Sequence, residues 1–239
     1  MSIINIFYNL LILRLLKYLT LIFIASILLY SCSTRKGDET VEIKIIQYDV
    51  TYINENAGSI PTRILPNKMQ LVFGDDYAMN SIEGFLGQFS LTYIANLKKK
   101  KVTTLLKLFD KKYYYLGPNG EFPCGIDPMK AMVLKPTGKS ANILGFKAKE
   151  YDLGQIGING LKIYTTNDID VKSPNNNTPY SSIDEVLLQF YTKLSVLEMY
   201  LVAESFEEDS ASINIFSIPD DYEPVTRIKM ENTLAELFK

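Results

Sequence analysis

After residue 40 the chain alternates apolar and polar positions. Val41, Ile43 and Ile45 set one phase; after a one-residue slip, Ile46, Tyr48, Val50 and Tyr52 set the other. Period two in β-branched and aromatic residues predicts a strand, and the slip predicts a β-bulge within it. Runs of the same kind cover residues 68–73, 77–82, 89–95, 102–109, 112–116, 131–134, 147–153 and 161–165. They are separated by turn formers: Gly74-Asp75-Asp76, Asp110-Lys111, Gly117-Pro118-Asn119-Gly120, Gly138-Lys139 and the glycine-rich stretch 154–160. The expectation is a meander of many short antiparallel strands, a sheet wide enough to curl.

The pattern changes after residue 172. Residues 173–180 form a polar loop with two prolines, and Ser182 stands three positions before Glu185. That spacing is a capping box and predicts a short helix near 182–186. Between 186 and 206, Val186, Leu187, Phe190, Leu194, Leu197 and Leu201 fit a helical stripe, yet the same segment also fits strands buried on both faces. The last segment, 226–238, predicts an amphipathic helix with Ile228, Leu234, Leu237 and Phe238 on one side, a lid for a sheet. The fold class read from the pattern is mainly β (α+β).

The N-terminus carries a different signal. Basic Arg14 and Lys17 precede an uncharged, largely apolar run from Tyr18 to Tyr30, 13 residues against the roughly 20 that a spanning helix needs. It ends in Leu29-Tyr30-Ser31-Cys32, which resembles the lipobox of bacterial lipoprotein signal peptides. That resemblance implies removal of residues 1–31, acylation of Cys32 and attachment to a membrane by several chains, each methylene adding about 0.8 kcal/mol. Residues 32–40 are polar and aperiodic and read as a tether, leaving 41–239 as a single domain. Ser33, and not Asp, follows the cysteine, which in such lipoproteins implies the outer membrane.

Composition removes several chemistries. The chain has no His and no Trp, which excludes His-based triads and most zinc sites. Past residue 31 it holds 23 basic against 27 acidic side chains, the wrong balance for a nucleic-acid partner. Cys124 lies in Phe122-Pro123-Cys124-Gly125 with no histidine to make it a thiolate. The glycines at 154, 157 and 160 precede an alternating run and not a helix, so a hairpin loop explains them better than a phosphate cradle. Lys98, Lys99, Lys100 and Lys101 are a solvated turn, with anionic lipid headgroups as the sharper alternative. No catalytic set, metal site or cofactor is expected.

The phrases Ile143-Leu-Gly-Phe-Lys-Ala-Lys-Glu-Tyr151, Leu161-Lys-Ile-Tyr-Thr165 and Phe216-Ser-Ile-Pro-Asp-Asp-Tyr222, together with the lipobox, are similar to a group of uncharacterised Gram-negative lipoproteins related to the LolA/LolB lipoprotein-carrier fold. The resemblance implies an antiparallel sheet curled into an incomplete barrel, and it reads 186–206 as two strands broken near Thr192-Lys193. Carriers of this group begin with a helix, whereas this body begins in strand. The function expected is binding of an acyl chain or lipid in the cleft of the half-barrel. The phase of the strands gives the lining: Tyr48, Val50, Met69, Leu71, Phe73, Leu91, Tyr93, Leu106, Leu108 and Met199. The alternative is a non-enzymatic envelope assembly or surface protein-binding module with a closed core. An open apolar cleft of some 300 Å³ or more favours the first.

Overall fold

Fourteen strands form among the residues that the structure, a computed structural model, describes: 39–58, 60–130, 132–154 and 160–237. The leader 1–31, Cys32, most of the tether, Ala131 and Phe238 lie outside the described residues. In chain order the strands are β1 (Thr40–Tyr52), β2 (Asn56–Ala57), β3 (Ile60–Pro61), β4 (Lys68–Gly74), β5 (Tyr77–Gly84), β6 (Phe89–Asn96), β7 (Lys101–Leu108), β8 (Lys111–Leu116), β9 (Val133–Ile143), β10 (Phe146–Gly154), β11 (Lys162–Thr166), β12 (Val186–Leu194), β13 (Leu197–Ser212) and β14 (Glu223–Pro224). A single α-helix, α1 (Arg227–Glu236), follows. Apart from the small β2-β3 hairpin, the strands make one sheet in the order β14-β8-β7-β6-β5-β4-β1-β13-β12-β11-β10-β9. It is open and mixed: β14 runs parallel to β8, and every other neighbouring pair is antiparallel.

The slip in β1 has a cause other than a bulge. β1 pairs with β4 without interruption from Ile43 to Asp49. Its odd positions Val41, Ile43 and Ile45 pack in a cluster on the outer face, while even positions Ile46, Tyr48 and Val50 belong to the main core on the inner face. The strand exchanges its buried face halfway along, and the hydrophobic phase follows. The unmatched residue lies on the partner: Gln47 faces Ser205 and Tyr48 faces Ala203, so Glu204 of β13 is the extra one.

The curl brings distant strands together across the inner face. The Tyr48 hydroxyl on β1 donates to the Leu187 carbonyl on β12 at 2.7 Å, and Ile126 of the β8-β9 connection bridges to Leu194 at the end of β12. Gly125 sits beside that bridge with φ of +81, and a side chain there would press on Leu194 Cδ1 at 2.9 Å. On the outer face, Phe216 stacks on Tyr77 with ring centroids 5.3 Å apart. It comes so close to Gly74 that a Cβ there would lie 2.9 Å from the ring. The chain then passes the β8 edge as β14 and lays α1 against the inner face, burying Met230 and Leu234.

Two helical expectations are corrected. Residues 182–186 form turns and the start of β12, not a helix. Glu185, the presumed partner of the Ser182 cap, is instead held by the Thr165 hydroxyl and Lys149, and the Asn175 side-chain amide takes the Ile183 and Glu185 carbonyls at 2.8 Å each. In α1, Ile228 is 72% exposed. Met230, Leu234 and Leu237 fall at spacings of four and three and share the inward side, and Ile228, two residues before Met230, is turned away by roughly 200°. Residues 186–212 are two strands, with the break at Ser195-Val196, slightly beyond the expected position.

Candidate functional site

The inner face is largely filled. Of the ten expected lining residues, Tyr48, Val50, Met69, Leu71, Phe73, Leu91, Tyr93, Leu106 and Met199 are buried and Leu108 is partly buried, all ten in one hydrophobic cluster. Two apolar spaces remain. Met69, Leu71, Tyr93 and Met199 border an inner cavity of about 110 Å³. Leu91, Leu108 and Met199, with Leu237 of the expected lid, border a crevice of about 160 Å³. Ile82, Leu194 and Met199 are common walls of both. Each lies well below the roughly 300 Å³ at which pockets for whole small molecules begin.

The crevice opens at one end of the sheet, and that end is apolar. Strand registers bring the end of β1, the β5-β6 and β7-β8 turns and the β12-β13 turn to the same level: Tyr52 faces Met199, Gly84 faces Phe89, Phe89 faces Leu108 and Leu194 faces Leu197. At this end lie six of the ten large apolar side chains exposed in the described body, Ile53, Ile64, Phe85, Leu86, Phe109 and Val196, of which Phe85 and Phe109 border the crevice. Leu86 is fully exposed and Phe109 is 62% exposed. Phe85, Leu86 and Phe109 all have positive φ, 52°, 56° and 54°. Large side chains rarely occupy that region, at a cost of about 1–2 kcal/mol each. The sequence signal was present: Gly84-Phe85-Leu86-Gly87 is an apolar pair between turn-forming glycines.

The opposite end is polar. A wide cleft of about 850 Å³ is bordered there by Glu42, Asp75, Asp76, Asp170, Glu208 and Asp209 against Lys44, Lys98 and Lys172. Lys98 to Lys100 lie in the β6-β7 turn at this end, and Lys101 opens β7. Lys98 pairs with Asp76 at 3.8 Å, and the Lys100 carbonyl accepts from the Asn177 side chain at 3.0 Å. Among the described residues no cluster of three or more acidic, cysteine or histidine side chains is placed to hold a metal ion.

Cys124 is buried under Tyr93, whose hydroxyl donates to the Cys124 carbonyl at 2.8 Å. Burial pushes the thiol pKa from 9.0 up to about 11, against a weaker lowering by Thr104 and Arg227. A raised thiol pKa favours the folded state below the ordinary value, and that contribution disappears as pH rises through about 11. At pH 8 iodoacetamide is expected to alkylate the native protein at least about 100-fold more slowly than the denatured chain. Equal rates, read by mass spectrometry, would show the site open.

No family model matches the chain, and no curated protein is significantly similar to it. Among solved structures it is similar to one titled "Structure of PNGF-II in C2 space group", at 14% identity and a TM-score of 0.50. The match covers 82% of this chain and 33% of that one, so the chain spans about a third of the length of the structure it matches. The likeness is one of fold.

Proposed function

We propose that the protein is a non-enzymatic, lipid-anchored module of the bacterial outer membrane that binds a protein partner through the apolar end of its sheet. The carrying observation is the group of six exposed apolar side chains at the end of the sheet where a 160 Å³ crevice opens, with Phe85 and Phe109 on its walls. A cavity of about 150 Å³ holds a benzene ring, so this crevice suits one anchoring side chain better than a whole acyl chain.

We read the curl as an incomplete barrel of the LolA/LolB kind, plugged by α1 and the β8-β9 connection.

The test is photo-crosslinking in cells from a reactive amino acid placed at Leu86, with Lys139, exposed on edge strand β9, as the control position. A discrete adduct at 86 that is absent at 139, and lost with Phe109→Asp, is expected. The same adducts from both positions would overturn the reading. A second reading, an acyl-chain binder, rests on Met69, Leu71, Tyr93 and Met199 bordering the inner cavity. Saturable micromolar binding of a fluorescent fatty acid would favour it.

A further inference from the structure

A polar hollow of about 400 Å³ adjoins the apolar crevice and shares Tyr52 and Leu65 with it as common walls. Its other walls are Val50, Thr62, Arg63 and Asn67. The frame is pinned by hydrogen bonds: the Tyr52 hydroxyl donates to the Pro66 carbonyl at 2.5 Å, the Thr62 hydroxyl to the Asn54 carbonyl at 2.7 Å, and the Val50 N–H to the Asn67 carbonyl at 2.8 Å. The Arg63 and Asn67 side chains are exposed, and among the described residues neither has a hydrogen-bond or ion-pair partner. No acidic residue borders the hollow or the crevice among the described residues, in a chain that past residue 31 carries more acids than bases. Two unspent sets of N–H donors, one of them cationic, therefore stand beside a slot sized for one apolar side chain.

An arginine fork takes a carboxylate through two parallel hydrogen bonds, and an uncharged apolar slot rejects one. We infer that the partner of the apolar end is a chain that finishes in an apolar residue: its last side chain fills the crevice and its terminal carboxylate takes Arg63, with the Asn67 amide as a second donor. The inference rests on the protein-partner reading of this end. The common walls, Tyr52 and Leu65, favour a chain end over an internal acidic residue, because they place the apolar and the anionic group side by side. An α-carboxylate leaves the same Cα as the anchoring side chain. In an extended segment the next side chain points to the opposite face, and the one after it stands about 7 Å further along. A space near the size that holds a benzene ring makes phenylalanine or leucine the expected last residue.

The experiment uses the full-length protein in nanodiscs and two fluorescein-labelled peptides, Gly-Ser-Gly-Ser-Gly-Phe with a free carboxylate and the same peptide as its C-terminal amide. Fluorescence anisotropy is expected to show saturable binding of the acid in the micromolar range and about tenfold weaker binding of the amide. Arg63→Glu should lower the affinity for the acid to that for the amide or below, Arg63→Lys should retain part of it, and Phe109→Asp should remove binding of both. Arg63 is exposed, so its two variants should melt with the parent. If they do not, the comparison of acid with amide on the native protein decides alone. Equal affinity for acid and amide, no saturation by either peptide, or unchanged binding of the acid to folded Arg63→Glu would overturn the inference. Photo-crosslinking from Leu86 separates the two failures. A discrete adduct that persists in Arg63→Glu leaves the protein-partner reading standing without the carboxylate, whereas the absence of any adduct in the parent removes both.

Discussion

Deleting residues 226–239 is expected to leave a protein that is no longer stably folded, with a lost or sharply lowered melting transition and strong binding of a hydrophobic dye. α1 contributes two of the most completely buried side chains in the molecule, Met230 at 0% and Leu234 at 1% exposure. Both reach the same core as Tyr93 and Leu194. Truncating one such side chain to alanine costs about 2–5 kcal/mol, against a net stability of about 5–15 kcal/mol for a whole domain. Removing the helix also strands the partners of Arg227, which donates to the Phe122 carbonyl at 3.0 Å and pairs with Glu121 at 3.1 Å. Point variants localise the effect: Met230→Ala and Leu234→Ala should each lower the melting temperature by several degrees, whereas Ile228→Ala, at a site 72% exposed, should change stability by less than about 0.5 kcal/mol. An unchanged melt after deletion would make the helix an appendage and the inner face self-sufficient.

The contrast between Ile228 and Met230 shows what was legible in the chain. Strand positions follow from alternation, and the structure places strands at each of the runs read that way, because a half-buried strand needs no information beyond which face is covered. The longest deviation, β9, extends from Val133 through Pro136 and Gly138 to Ile143 as an exposed edge, where burial leaves no alternating trace. β1 misled for the opposite reason: both its faces are covered, each over half its length, and a single phase cannot describe it. The helix expected near 182–186 failed because a capping box is local, and Glu185 found stronger partners on β10 and β11. The inner cavity drew on Met69, Leu71, Tyr93 and Met199 as the strand phases implied, but its size depends on how far the sheet curls and on what the loops fill. Phe85 and Leu86 carried a readable signal in their flanking glycines. Their convergence with Phe109, Ile64 and Val196 at one end depends on strand registers, which the sequence does not display.

Cys32→Ser is expected to convert the protein from a membrane-bound to an aqueous-phase species without altering the fold of its body. Leu29-Tyr30-Ser31-Cys32 resembles a lipobox, and that resemblance implies the Cys32 thiol as the lipid acceptor. With about 0.8 kcal/mol per buried methylene, two or more chains hold a protein on a bilayer essentially permanently, while the short run from Tyr18 to Tyr30 falls below the length of a spanning helix. Serine removes the acyl acceptor and leaves the charge and hydropathy of the segment nearly unchanged. The parent should partition into detergent and carry the mass of an acylated Cys32 at its amino terminus. The variant should keep residues 1–31, show no acyl mass and leave the detergent phase with its body folded. That body should melt at the temperature of the parent, because the described sheet begins at Thr40. If the variant and the parent partition and migrate alike, Cys32 carries no lipid and the N-terminal segment itself is the anchor.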